Sequence, residues 1–151
     1  MSITSMKTGI LAALAAVGSI IATSLGGWDT AMQVLIAVMT ADIITGLIVA
    51  IVWKRSGKTA TGAASSQAMF KGLCRKGVML LIVWMAVNLD SVMGLAGVIR
   101  TAVILYFIGN EGLSVVENAG IMGVPLPKII TNAFEQLKDK NDDPKDSGGE
   151  A

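Results

Sequence analysis

Four long stretches of the chain are almost free of charge, and they set the expected fold. Residues 8–28 give 21 uncharged positions between Lys7 and Asp29, and residues 30–53 give 24 broken only by Asp42. Residues 77–99 give 23 with Asp90 among them, and residues 101–127 give 27 that include Glu111 and Glu117. A helix needs roughly 20 apolar residues to cross a hydrocarbon layer of about 30 Å. The pattern therefore predicts an all-α membrane protein with a transmembrane domain over 1–127, its four spans at about 8–26, 31–53, 77–94 and 98–119. A tight turn near Met93-Gly94 makes the last two an antiparallel hairpin. The two prolines of GVPLP, residues 123–127, end the fourth span. Beyond them Ile130, Ala133, Phe134 and Leu137 fall at i, i+3, i+4 and i+7, the stripe of a short amphipathic helix over 128–140. That helix is expected on the inner membrane surface. The last stretch, 141–151, is polar with glycine and proline, and disorder is the expectation there.

Composition agrees with this. Hydrophobic residues make up 53% and charged residues 15%, against about 25% charged in a soluble domain. The mean hydropathy is +0.67, more apolar surface than one small core could bury. With no histidine and one cysteine, Cys74, disulfide frameworks, Cys/His zinc sites and histidine-based catalytic triads are excluded. The sequence implies no cofactor, no metal and no enzyme. Charge placement is more informative than the net charge of +1. Lys54, Arg55, Lys58, Lys71, Arg75 and Lys76 lie in the 54–76 loop, which holds no acid. Basic short loops stay cytoplasmic, so four spans place both termini in the cytoplasm. Trp28 and Trp53 flank the second span as interfacial anchors do. Within the loop, SGKTATGAASS contains a glycine-lysine-threonine run, but the first glycine and the strand of a phosphate-binding loop are missing. Attraction to anionic lipid headgroups explains the bases better, and a loop at the membrane indicates no nucleic-acid role. The Ala- and Gly-rich first span has an alternative as a cleaved signal peptide ending near Ala22-Thr23-Ser24, against which stands an n-region of a single lysine.

The polar residues inside the spans are the candidate functional groups. Asp42 falls at the middle of the second span and Glu111 near the middle of the fourth. With no lysine or arginine placed at their depth by these boundaries, both are expected to be uncharged in an isolated subunit, since charging them in lipid would cost several kcal/mol. Asn110, Glu111, Ser114, Glu117 and Asn118 share one face of the fourth helix, with Val103, Phe107, Leu113 and Val116 opposite. Together with Asp42 and Thr45 they form a candidate pore-lining or assembly surface. Two readings stay open. Self-association or a water-lined pore shields this face, or it packs on Asp42 and Thr45 inside a compact four-helix monomer. The first helix offers small-residue stripes for helix packing: Ala12, Ala16, Ser19 and Thr23 on one line, and Gly18, Ala22 and Gly26 on another.

Several of these residues sit in recognisable strings. Trp28-Asp29 precedes the second helix, and Asp42-Ile43-Ile44-Thr45-Gly46 lies within it. Ser65-Ser66 and Lys71-Gly72-Leu73-Cys74-Arg75-Lys76 lead into the third. Asp90 follows, then NEGLSVVEN at 110–118 and GVPLP at 123–127. In these strings, over roughly residues 28 to 137, the chain resembles the toxin secretion/phage lysis holin family. The resemblance implies a protein that accumulates in the bacterial cytoplasmic membrane and self-associates as a homo-oligomer. It then opens lesions through which a cell-wall hydrolase, or in some loci a large toxin, leaves the cell, and an antiholin is a further partner it allows. The alternatives are a small proton-coupled transporter using Glu111 or Asp42 as its carrier site, and an antiholin regulatory subunit.

Overall fold

The structure is a computed structural model that describes residues 2–59 and 61–142, with the side chains of 140–142 left aside. It is all-helical. The helices are α1 (Ile3–Ser24), α2 (Thr30–Ile48), α3 (Ser66–Met93), α4 (Val98–Ile121) and α5 (Lys128–Asp142), and α2 continues into a π-helical turn over Val49–Trp53. Among the described residues, four segments are long and apolar enough to cross a membrane: Ile3–Ser24, Thr30–Trp53, Ser66–Met93 and Val98–Ile121. The third begins eleven residues before the expected 77, at Ser66. Lysine and arginine are good helix formers, so the basic run 71–76 is helical although it is not apolar. The short C-terminal helix is present and reaches Asp142, two residues past its expected end. Residues 143–151 of the expected disordered tail lie outside the described residues.

The helix ends follow from local chemistry. Ser2 and Asp29 accept from the backbone N–H groups of Ser5 and Met32 at the starts of α1 and α2, each satisfying a donor that the helix itself cannot. The α3–α4 turn has left-handed glycines at both ends, Gly94 (φ 66°) and Gly97 (φ 81°). Asp90, still inside α3 and buried, accepts from Ile99 N at 2.9 Å and Arg100 N at 2.8 Å. It thereby caps α4 from the preceding helix and closes the predicted hairpin.

Helix α4 is the hub. Helices α2, α3 and α5 all pack on it, and the core joins Met32, Leu35 and Met39 of α2 to Met79 and Val83 of α3 and to Ile104, Phe107 and Ile108 of α4. On α3 the buried positions are Lys76, Met79, Val83, Ala86 and Asp90, alternating steps of three and four. That is the seam of two closely packed helices, and here it begins and ends on a charge. The stripe of α5 is used only in part: Phe134 and Leu137 pack against the core, while Ile130 stays exposed. Gly109 and Gly112 of α4 make this possible. A Cβ at Gly109 would lie 2.8 Å from both Phe134 O and Lys138 N, and one at Gly112 would collide with the Phe134 ring. So α5 folds back along α4.

Helix α1 stands apart, with no buried side chain. Ala12, Ala16 and Gly18 are exposed and Ala22 is half-buried, so its stripes are not used for packing within one subunit. Gly26 has a different task. It sits at φ +84°, and a Cβ there would run into the Arg100 side chain. Buried Arg100 donates from Nε to Leu25 O at 2.6 Å, from Nη2 to Gly27 O at 3.2 Å and from Nη1 to Asp29 Oδ2 at 2.6 Å. This one guanidinium ties the α1–α2 turn to the start of α4.

The same contact makes a pH prediction. The hydrogen bond from Arg100, then the N–H of Met32, hold the Asp29 carboxyl below its ordinary value of 3.8. A carboxyl lowered on folding contributes stability that is present above its unfolded value and lost as pH falls through the folded one. Thermal unfolding in detergent should therefore show an acid-sensitive component below pH 3.8, modest because Asp29 is about half exposed. Arg100→Leu should shrink that component to the part owed to the Met32 N–H and lower stability at neutral pH by about 2–3 kcal/mol through the lost charged hydrogen bonds. An unchanged acid profile in Arg100→Leu would refute the assignment.

Candidate functional site

At the end of the bundle away from this turn, three charges meet in the core. Lys76 of α3 donates from Nζ to Asp42 Oδ2 of α2 at 2.9 Å and also to Glu111 Oε2 of α4. Side-chain exposures are 10% for Lys76, 8% for Asp42 and 4% for Glu111. Asn118 Nδ2 donates to Asp42 Oδ1 at 3.3 Å and to Thr45 Oγ1 at 3.0 Å. Lys58, from the 54–65 loop and about half exposed, places its Nζ 3.7 Å from Asp42 Oδ1. Two carboxylates thus face two ammonium groups, and the charges balance. No buried side-chain nitrogen or oxygen among the described residues lacks a partner.

The sequence supports each position. Asp42 continues the buried series Met32, Leu35, Met39 by another step of three. Lys76 precedes Met79 by three. Glu111 follows Phe107 and Ile108 on the buried side of α4. All three are seam positions, where hydrophobic residues would normally meet. Counting 1.5 Å per residue, Asp42 lies about 18 Å along α2 from Thr30, Glu111 about 20 Å along α4 from Val98, and Lys76 about 26 Å along α3 from Met93. From the other ends, Asp42 lies about 17 Å from Trp53, Glu111 about 15 Å from Ile121 and Lys76 about 15 Å from Ser66, so both acids sit near the middle of their helices and the lysine reaches them from the loop-side half of α3.

The expectation that no cation accompanies Asp42 and Glu111 is therefore wrong. It rested on beginning the third span at 77, which left Lys76 in a loop. Helix α3 carries that lysine into the core, and a paired carboxylate need not be neutral to be buried. The step-of-three spacing from Met79 was the available sign. Asp42, Thr45, Glu111 and Asn118 do come together, and the compact-monomer alternative describes their arrangement. Ser114 lines the adjoining cavity, and its hydroxyl donates to Asn110 O at 3.3 Å within the helix. Asn110 is half-buried and Glu117 exposed, so the face is not a single surface. Phe107, expected opposite the polar face, is buried in the core.

Two adjoining cavities flank the cluster. One, about 330 Å³, is bounded by Lys58, Lys71, Arg75, Lys76, Glu111 and Ser114 among others. The second, about 220 Å³, has Ile43, Leu47, Ala50, Met69 and Leu73 in its wall and shares Asp42, Lys58, Gly72 and Lys76 with the first. Among the described residues no group of His, Cys, Asp and Glu is placed to hold a metal ion.

A helical chain with four membrane-length segments, tied by buried charges at both ends of its bundle, defines a multi-pass membrane protein. It belongs to the bacteriophage holin family, whose sequence profile matches residues 19–139 and whose members are non-enzymatic membrane proteins. The chain is 34% identical to a "probable holin" of Bacillus phage phi105, over 74% of this chain and 76% of that one. It is 30% identical to an uncharacterised protein of Clostridium perfringens, over 82% of this chain and 87% of the relative. It is 33% identical to an uncharacterised protein of Listeria monocytogenes, over 84% and 82% respectively. No solved structure matches it.

If the cluster acts as a unit, removing its cation should be far worse than removing all its charges. Lys76→Met leaves two buried carboxylates without their shared partner, at an expected cost of about 3–5 kcal/mol. Adding Asp42→Asn and Glu111→Gln to it should recover most of the loss. Thermal unfolding of the two variants in detergent measures both. Wild-type stability in the single variant would disprove the pairing.

Proposed function

We propose that this protein is a holin that self-associates in the bacterial cytoplasmic membrane and opens lesions through which a cell-wall hydrolase or a toxin leaves the cell. The observation that carries this reading is the family match together with the relative named a probable holin. Two physical features support it. Helix α1 buries no side chain within the subunit yet is long and apolar enough to span a bilayer, which leaves a whole helix for contacts between subunits. The charge cluster is self-satisfied in one subunit, so a monomer is quiet in lipid. Parting α2, α3 and α4 would expose charges that need water, which favours a hydrated assembly over a dry one once opening begins.

The transporter alternative draws no support from the site. A carrier carboxylate must be free to face its substrate, and Lys76 engages both Asp42 and Glu111. An antiholin role differs from the holin role in outcome. Expressed alone, a holin causes an abrupt loss of membrane potential and releases a cytoplasmic reporter enzyme, whereas an antiholin delays lysis by a matched partner. The expected result is abrupt loss in the wild type. Glu111→Gln, which leaves Lys76 paired to Asp42 alone, should shift the onset at equal levels of inserted protein. Intact membranes at high levels of inserted wild-type protein would overturn the holin reading.

The orientation proposed is with both termini cytoplasmic, on the six bases and no acid of the 54–76 loop. A cysteine placed at Gly27 in a Cys74→Ser background should react with an impermeant maleimide in intact cells, and one placed at Ser56 should not. The reverse pattern would invert the topology.

A further inference from the structure

We propose that the two adjoining cavities beside the charge cluster form one binding site for an anionic phospholipid, the phosphate in the basic cavity and an acyl segment in the apolar one. The basic cavity is bounded by Lys58, Lys71, Arg75 and Lys76 against the acids Asp42 and Glu111. Those two acids are already engaged by Lys76, and Asp42 also by Lys58. Lys71 and Arg75 stand four residues apart on α3, hence on one face, and neither makes an ion pair among the described residues. The cavity thus keeps two positive charges that no acid answers. Its floor is open, because a Cβ at Gly57 or Gly72 would meet nothing within 4 Å.

The neighbouring cavity decides between a lipid and a free anion. Ile43, Leu47, Ala50, Met69 and Leu73 line it, and it shares Gly72 and Lys58 with the basic one. A soluble phosphate would use only the charged half. An amphiphile with a net negative headgroup uses both. Along α3 the two unpaired bases lie outward of the cluster: Arg75 is one residue and Lys71 five residues nearer than Lys76 to the loop that precedes Ser66, which sets Lys71 about 8 Å closer to that loop. This site gives the basic loop a specific ligand beyond diffuse attraction to a charged surface. It rests on the membrane-protein reading, but lipid binding in micelles does not depend on lesion formation, so either can fail without the other.

The test is native mass spectrometry of the full chain in a non-ionic detergent, titrated with phosphatidylglycerol or phosphatidylcholine. Wild-type protein should hold one phosphatidylglycerol per subunit, about tenfold or more tighter than phosphatidylcholine. Lys71→Gln with Arg75→Gln should weaken it by about tenfold or more, the loss of two charged contacts. Lys54→Gln with Arg55→Gln removes equal charge from the same loop but outside both cavities, and should change it less than about twofold. Gly72→Leu fills the junction without altering charge and should also weaken binding, which keeps the test decisive if the double variant misfolds. Equal losses in the two charge pairs would reduce the site to diffuse attraction. Displacement of the lipid by inorganic phosphate at about 10 mM, or equal affinity for phosphatidylcholine, would overturn the lipid assignment.

Discussion

Everything at one end of the bundle depends on a lysine held between two carboxylates. Lys76, Asp42 and Glu111 come from three different helices, so the contact exists only when α2, α3 and α4 are in register. Buried ion pairs add little net stability over well-packed hydrophobic residues, but breaking one is expensive. Their value lies in fixing register, because a slide of α3 by one residue turns Lys76 through about 100° and abandons both acids. Between helices in lipid no hydrophobic force opposes such slides. The apolar seam of Met32, Leu35, Met79, Val83 and Ile104 fills space, while the charges choose which space it fills.

The opposite end uses the same device with different groups. Asp90 caps α4 through two backbone N–H groups, and Arg100 binds the α1–α2 turn through two carbonyls and Asp29. Each charged group there satisfies polar backbone that would otherwise be stranded where the helices end. The core between the two ends holds methionine, leucine, isoleucine, valine and phenylalanine. A bundle pinned at both ends and soft between them yields by losing an end. The end with Lys58 on a half-exposed loop is the more accessible of the two.

Much of this fold was legible in the sequence, since lengths of uncharged chain translate directly into spans. The four spans follow from that counting, the α3–α4 hairpin from the turn at Met93-Gly94, and the helix after GVPLP from the stripe of Ile130, Ala133, Phe134 and Leu137. The failure of the counting has the same source. Counting uncharged positions stops at any lysine, so it began the third helix at 77 and set Lys76 outside the core. The same counting is silent on Arg100, whose partner Asp29 lies 71 positions away, a contact no local pattern contains. The polar face of α4 is read from the sequence as needing shielding from lipid. Whether it meets water, another subunit or its own neighbours is a tertiary question, and the answer required Lys76.

That answer relocates the problem of assembly. A polar face exposed to lipid would by itself drive subunits together, but here Glu111 and Asn118 are turned inward and satisfied. The surfaces left for a neighbour are those the subunit does not use. Chief among them is α1, with its small residues Ala12, Ala16 and Gly18 all exposed and a Cβ at Gly18 meeting nothing within 4 Å. Small residues permit close backbone approach in lipid but carry no charge, so contacts through α1 can accumulate without disturbing the cluster. On the proposed holin function, association and opening are then separable steps. The first would be packing through α1, and the second loss of the contact among Asp42, Lys76 and Glu111. A protein that gathers in a membrane before breaching it needs that separation, and the proposal assigns the two steps to different helices.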